Sequence, residues 1–378
     1  MDNPQAWANV QRLLALMKSK GASDLFITAG FAPAIKLDGR MTPVAPEPLS
    51  ADSCRALVRS AMNERQQQEF DRTHECNFAI SVDDIGRFRV SAFVQQGKPG
   101  MVVRTITTDI PDIDTLGVPI QLKEIVMSKR GLVIMVGATG SGKSTTLAAM
   151  IGHRNAHSHG HIITIEDPVE FVHPHRNCIV TQREVGTDTA DWQTALKNTL
   201  RQAPDVILIG EIRERETMDH AIAFAETGHL CLATLHANNS NQALDRIVNF
   251  FPEERRQQLL MDLSLNLRAM ISQRLVPLKS GSGRCVAVEI MLNSPLVSDL
   301  IFKGQVQEIR EVMKKSRELG MQTFDQTLFD LVEADRISIE DALRNADSVN
   351  DLRLAIKLNS KHSRDRDLAA GTAGLGIV

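Results

Sequence analysis

What the chain lacks narrows its class. Its five cysteines, Cys54, Cys76, Cys178, Cys231 and Cys285, lie far apart, and no two form a C-x-x-C pair. That spacing argues against a zinc knuckle and fits the scattered reduced thiols of a cytosolic protein. No apolar run approaches the roughly 18 residues a membrane span needs, so action at a membrane would require recruitment by a partner. The opening residues, MDNPQAWANV, start acidic and lack the charged-then-apolar pattern of a secretory signal. Excess positive charge is missing too. The formal net charge is −3, whereas a protein that grips nucleic acid through backbone phosphates usually carries a basic domain.

What remains is an ordinary globular composition, 43% hydrophobic and 24% charged over 378 residues. That length exceeds one core and suggests two or three domains. Trp7, Val10, Leu13, Leu14 and Met17 recur at helical spacing, with Gly21 as a stop. DLFITAG and AIKLDGRM read as strands, the second with a tight turn at Asp38-Gly39. Residues 51–72 read as a helix, and CNFAISV, GRFRVSAFVQQ and GMVVRTIT as three further strands. Residues 1–110 are therefore expected to form a small α+β domain on a mostly antiparallel sheet.

Residues 111–120 carry prolines, aspartates and a glycine with little periodicity and read as a linker. Over 121–359 the pattern alternates: LVIMV, HIITIED, CIVTQRE, DVILIGE and LCLATLH read as strands between helices. That alternation predicts a doubly wound α/β domain, turning mainly helical from about residue 295. The small-residue composition of 360–378 predicts a disordered tail.

The densest chemistry is GATGSGKSTT at 137–146, after a β-branched apolar run. Gly137, Gly142, Lys143 and Ser144 satisfy the phosphate-loop pattern in a strand–loop–helix context. Glycines let backbone N–H groups close on phosphate oxygens at the positive end of a helix. Gly137, Ala138, Thr139, Gly140, Ser141, Gly142, Lys143, Ser144 and Thr145 are thus the candidate nucleotide contacts. Lys143 would reach the β/γ-phosphates, and Ser144 would ligate Mg²⁺.

Glu211 ends a buried strand, where an acidic residue can hold Mg²⁺ or its water shell. IITIEDPVEF crowds Glu166, Asp167 and Glu170 at the end of another strand, with Pro168 stiffening the turn. One of these carboxylates could polarise the water that an NTP hydrolase must orient. His229 and His236 bracket one strand; His236, at its end, could sense a γ-phosphate, while His229 reads equally well as a structural hydrogen-bonding group. Histidines at 153, 157, 159, 161, 173 and 175 read as polar turns around a strand rather than a metal site. Arg89 and Arg104, on successive strands, could complete a neighbour's nucleotide site.

Taken in order, GATGSGKSTT, IITIEDPVEF, RQAPDVILIGEIRE and TGHLCLATLHANN resemble the Walker A, Asp box, Walker B and His box of the secretion ATPases, the hexameric motors of type II secretion and type IV pili. The resemblance covers nearly the whole chain and is strongest to the retraction branch, the PilT/PilU kind. It implies an N-terminal PAS-like α+β domain and a C-terminal RecA-like P-loop ATPase domain, assembled as a homo-hexamer that hydrolyses ATP with Mg²⁺. ATP would bind between the two domains of one subunit. The resemblance also implies that Glu170, the last carboxylate of the Asp box, is the catalytic one. RFRVSAFVQQGKPGMVVRTI resembles the segment that carries arginine fingers, which implies Arg89 and Arg104. Extension and secretion members carry an extra N-terminal domain and a tetracysteine zinc site, and this sequence shows neither pattern.

LVSDLIFKG (296–304) stands where the main retraction ATPase has AIRNLIRE. With KKSRELGMQTFDQTLFDL and NADSVNDLRLAIKL, that departure resembles the accessory retraction ATPase. Expected partners are a companion PilT-like retraction ATPase and the inner-membrane pilus platform protein, met at the cytoplasmic face, with no direct nucleic acid and no transmembrane segment. The alternatives are a RecA-like nucleic-acid translocase and a non-catalytic nucleotide-binding regulator.

Overall fold

A computed structural model describes residues 4–37, 40–106 and 109–361. The turn expected at Asp38-Gly39 and the tail beyond Lys361 lie outside the described residues. The chain divides into two compact units. One holds the described residues up to Ile110 together with Glu166–His173 and Gln182–Asp191; the other holds Pro111–Ile165, Pro174–Thr181 and the chain from Trp192 onward. The expected continuous motor block is thus interrupted twice, by segments that pack with the N-terminal residues.

The first unit opens with helix α1 (Pro4–Ser19), whose Val10, Leu14 and Met17 are fully buried. Burial of each such side chain stabilises by about 1.5–3 kcal/mol. Gly21, at φ 64°, ends it as expected. Strands β1 (Asp24–Thr28), β2 (Ala34–Leu37) and β3 (Arg40–Pro43) follow. The single helix expected over 51–72 is two, α2 (Ala51–Ser60) and α3 (Glu64–Thr73). Asn63 breaks it: its side chain accepts from the Gln66 amide while Gln66 reaches back, a capping box that starts a new helix. Strands β4 (Glu75–Val82), β5 (Gly86–Gln95) and β6 (Lys98–Ile106) complete an antiparallel sheet of order β3-β2-β1-β6-β5-β4. In its register Asp24 pairs with Lys36 on one side and Arg104 on the other, and Arg104 pairs with Arg89.

In the second unit the segment read as a linker is packed. Ile113 is buried in the core beside Leu122 and Ile125, and 113–115 form a short 3₁₀ turn capped by Asp112. Helix α4 (Gln121–Val126), strand β7 (Gly131–Val136), helix α5 (Lys143–His157) and strand β8 (Gly160–Glu166) follow, then β9 (Cys178–Glu184), α6 (Trp192–Thr199), β10 (Val206–Ile209), α7 (Arg215–Glu226) and β11 (Leu230–Leu235). Beyond them lie α8 (Ser240–Asn249), α9 (Glu253–Asn266), and the strands β12 (Leu267–Pro277) and β13 (Arg284–Leu292). The last helices are α10 (Pro295–Phe302), α11 (Ile309–Lys315), α12 (Phe324–Glu333), α13 (Ile339–Arg344) and α14 (Val349–Asn359).

The sheet runs β13-β12-β7-β11-β10-β8-β9. β7, β11, β10 and β8 are parallel in series, as are β7 and β12. Leu132–Val136 and Leu230–Leu235 are buried throughout, the uninterrupted apolar pattern of strands covered on both faces. Parallel pairing sends the carboxyl ends of β7, β11 and β10 to one edge of the sheet, where ligands bind in such folds. Of the apolar residues at 296–301, Val297, Leu300 and Ile301 are core and Leu296 is exposed. Among the described residues no helix is long and apolar enough to cross a membrane.

Candidate active site

Val136 ends β7 and the chain turns through 137–142 into α5. Two glycines there are sterically required. A Cβ on Gly137 would lie 2.4 Å from Ser141 Oγ and 2.8 Å from the Gln273 carbonyl; one on Gly142, at φ +88°, would lie 2.7 Å from Gln273 Nε2. Ala138, Thr139 and Gly140 form an exposed rim, and Ser144 and Thr145 are half-buried in the first turn of α5. Lys143 is buried, and its Nζ donates to the carbonyls of Gly137 (2.7 Å) and Ala138 (3.0 Å). Among the described residues Ser141 Oγ, which is buried, finds no hydrogen-bond partner. A hydroxyl held without an acceptor, beside the amides that open a helix, suits phosphate oxygens.

Glu211 and His236 leave the same edge. His236 Nε2 lies 3.4 Å from Glu211 Oε1, and Arg213 Nε donates to Glu211 Oε2 at 2.7 Å. Burial and the nearby Lys143 charge hold the His236 imidazole below its ordinary value, outweighing Glu211. That direction favours the neutral imidazole beside the Glu211 carboxylate. Arg246 Nη1 donates to the His236 carbonyl at 2.6 Å, pinning the strand end. Ser144 and Glu211 offer a hydroxyl and a carboxylate, hard oxygen donors of the type Mg²⁺ takes when phosphates complete its shell. Among the described residues no three His, Cys, Asp or Glu side chains form a metal group of their own.

Sequence reasoning missed the strand that braces this loop. Gln273 of β12 is 2% exposed. Its Nε2 donates to the Ser141 carbonyl and its Oε1 accepts from Thr146 Oγ1, both at 2.8 Å. One amide thus ties the loop to the first turns of α5. The next residue, Arg274, lies 4.0 Å from the Phe324 ring centroid, bonds to the Asn238 carbonyl just after His236, and ion-pairs with Asp347. Glu289 of β13 is buried and accepts from the Ser240 amide, the Ser240 hydroxyl and the Ser272 hydroxyl. The signal was available: polar side chains inside an apolar run, ISQRLV, are rarely buried without a task.

His229 is not brought to this group. It stands before β11, at the opposite end from His236, roughly 23 Å away at the usual strand rise. Its Nδ1 lies 3.0 Å from Thr227 Oγ1 and 3.2 Å from the Phe224 carbonyl, and its own carbonyl accepts from Gly131. These contacts serve the turn into the strand.

The other candidates belong to the first unit. Glu166 ends β8 and accepts from Gln182 Nε2 at 3.4 Å. Glu170 is exposed on the irregular segment after it. Arg89 and Arg104 are exposed on one face of the antiparallel sheet. Arg104 Nε bonds at 2.8 Å to Asp24, which is buried, while the arginine side chain stays 69% exposed. Burial alone would raise the Asp24 carboxyl, but the Ser23 hydroxyl and Arg104 hold it below its ordinary value. It is therefore a charged anchor that fixes one edge of the guanidinium.

A family model described as type II/IV secretion system protein matches residues 10–326. The chain is 60% identical over 367 residues to the type IV pilus ATPase PilU of Pseudomonas aeruginosa, covering 97% of this chain and 96% of that one. It is 41% identical over 338 residues to the type IV pilus retraction ATPase PilT of the same organism, covering 89% and 98%. A crystal structure of the pilus retraction motor PilT with bound ADP superposes with a TM-score of 0.84 at 38% identity, over 90% of this chain and 98% of that one.

Proposed function

The chain belongs to the type II/IV secretion system protein family, and from that premise we propose that it is an ATP-hydrolysing ring motor of type IV pilus retraction, working as an accessory retraction ATPase. The observation that carries this reading is the buried Lys143, set at the start of α5 in a loop that admits no Cβ at Gly137 or Gly142. Its relatives PilU and PilT are named as pilus ATPases.

The reaction transfers the γ-phosphoryl group to water, releasing ADP and phosphate. Lys143 and the amides of residues 138–145 bind the β- and γ-phosphates. Ser144 and Glu211 would hold Mg²⁺, which would supply charge neutralisation to the phosphates. Glu170 orients the attacking water and takes its proton, with Glu166 as the second carboxylate of that segment. His236, beside Glu211, contacts the γ-phosphate through its imidazole. Arg89 and Arg104 neutralise charge developing on the transferred group, supplied by a neighbouring copy in a six-membered ring. The expected partners are a companion PilT-like ATPase and the pilus platform protein at the cytoplasmic face of the inner membrane.

Two measurements test this. The purified chain should hydrolyse ATP in a Mg²⁺-dependent manner, and folded Lys143→Ala should not; turnover by that variant equal to the parent would refute the phosphate-loop role. Deleting the gene should leave pili present and surface motility lost. A deletion strain without pili would point to assembly instead.

A further inference from the structure

The segment from Glu166 to His173 has no regular structure after its first residue, yet it must hold Glu170 in place. It is fastened at alternate points by one strand. Glu184 Oε2 accepts from the Val169 amide at 3.1 Å. Gln182 Nε2 donates to the Phe171 carbonyl at 2.8 Å, and Gln182 Oε1 accepts from the His173 amide at 2.7 Å. Gln182 and Glu184 are two apart on β9 and so share a face. They grip the loop on both sides of Glu170 and leave that side chain exposed.

Glu184 is itself anchored. It is 2% exposed, and the same Oε2 accepts from Arg87 Nη2 at 2.7 Å. Thr187 Oγ1 supplies Oε1 at 3.1 Å. Arg87 lies on β5, two residues before Arg89 and on the same side of the strand. Its Nε is buried without a hydrogen-bond partner among the described residues, so this carboxylate is what holds the guanidinium in a costly place. A buried charge pair is weak evidence for stability, since desolvation offsets most of the attraction. Placement is the better explanation for retaining one here.

We infer that Arg87 and Glu184 are positioning residues for hydrolysis, their ion pair fixing the backbone next to Glu170 against the N-terminal sheet. The inference rests on the proposed role of Glu170 as the water-orienting carboxylate. It places the hydrolytic carboxylate in the unit that carries Arg89 and Arg104, while Lys143, Glu211 and His236 belong to the other.

The test uses the full chain and measures kcat, KM for ATP, equilibrium binding of a fluorescent ATP analogue, and melting temperature. Arg87→Ala and Glu184→Gln should each lower kcat at least tenfold with analogue affinity within about twofold of the parent; Arg87→Lys, which keeps the charge, should recover most of the loss. In a Glu170→Gln background, Arg87→Ala should cost nothing further, because residues that act as a unit are not additive. An inactive Glu170→Gln beside normal kcat in folded Arg87→Ala and Glu184→Gln overturns the inference alone. Normal turnover by Glu170→Gln overturns the reading beneath it, and the inference with it. Should Glu184→Gln fail to fold, Arg87→Ala and the double variant decide: parallel loss of analogue binding and melting temperature overturns positioning.

Discussion

Arg89 and Arg104 stand directly opposite each other across β5 and β6. Like charges in that relationship destabilise a sheet by roughly 0.2–1 kcal/mol, and Asp24 offsets the repulsion at Arg104. Two exposed cations kept face to face fit an anionic ligand rather than stability. Arg89→Ala and Arg104→Ala should each reduce ATP turnover at least tenfold without lowering the melting temperature. Rings mixed from Arg104→Ala and Glu170→Gln subunits should regain some activity if the arginines act across a subunit boundary; none at any ratio places them within one subunit.

Glu170 and Glu211 should fail differently. Glu170→Gln should still bind ATP and accumulate the ATP-bound state, since only the water-orienting group is lost. Glu211→Gln should shift the Mg²⁺ concentration needed for half-maximal turnover. If Glu166→Gln is the inactive variant and Glu170→Gln is not, the roles within that segment are exchanged.

Gln273 should matter for nucleotide affinity. Its removal leaves the Ser141 carbonyl and the Thr146 hydroxyl without their bonds, an effect of about 1–3 kcal/mol for a buried group. Gln273→Ala should weaken ATP binding roughly tenfold, an amount equal to about 1.4 kcal/mol, and titration calorimetry would show it. Unchanged affinity would mean that the loop holds its shape unaided.

Burial pushes the Glu289 carboxyl above its ordinary value of 4.5, against the pull of the Ser240 and Ser272 bonds. A raised carboxyl contributes stability fully below the unfolded value, and that contribution is lost as pH rises through the folded one. Glu289→Gln keeps the accepting oxygen and cannot ionise. Melting temperatures across pH 4–8 should therefore converge at the acid end and favour the variant at the neutral end. Glu289→Ala should cost about 3 kcal/mol at the acid end, because three donors lose their acceptor, and less at the neutral end, where the parent has lost the contribution of the protonated carboxyl.

Lys303 and Glu308 are exposed, and Lys303 pairs with Asp299 one turn earlier. Charge reversal at both positions should leave ATP turnover intact and impair surface motility. A fall in turnover together with melting temperature would mark the region as structural.

The strongly patterned parts of the fold were legible. LVIMV followed by GATGSGKS could form little else than a buried strand, a tight glycine turn and a helix, and it did so. The antiparallel N-terminal sheet followed from short alternating runs and their turns. Two failures have separate causes. The 51–72 helix broke because a single cap at Asn63 outweighed a continuous helical pattern. β12 and β13 went unread because their polar residues, Ser272, Gln273, Arg274 and Glu289, interrupt the apolar run for reasons visible only once the phosphate loop and α8 lie beside them. His229 and His236 were read as bracketing one strand, and they do; which of the two readings of His229 holds became visible only in its contacts with Thr227 and Phe224.

The first unit is discontinuous along the chain, and that restricts how such a protein can be cut or recombined. A fragment beginning at Pro111 would keep the phosphate loop but leave the buried Glu184 carboxylate without Arg87. Grafting the N-terminal domain of a relative onto this motor would face the same difficulty, because Glu166–His173 and Gln182–Asp191 would have to travel with it. The inheritable block is three separate stretches of sequence. A crossover at residue 110, the boundary that the sequence pattern suggests, would divide it.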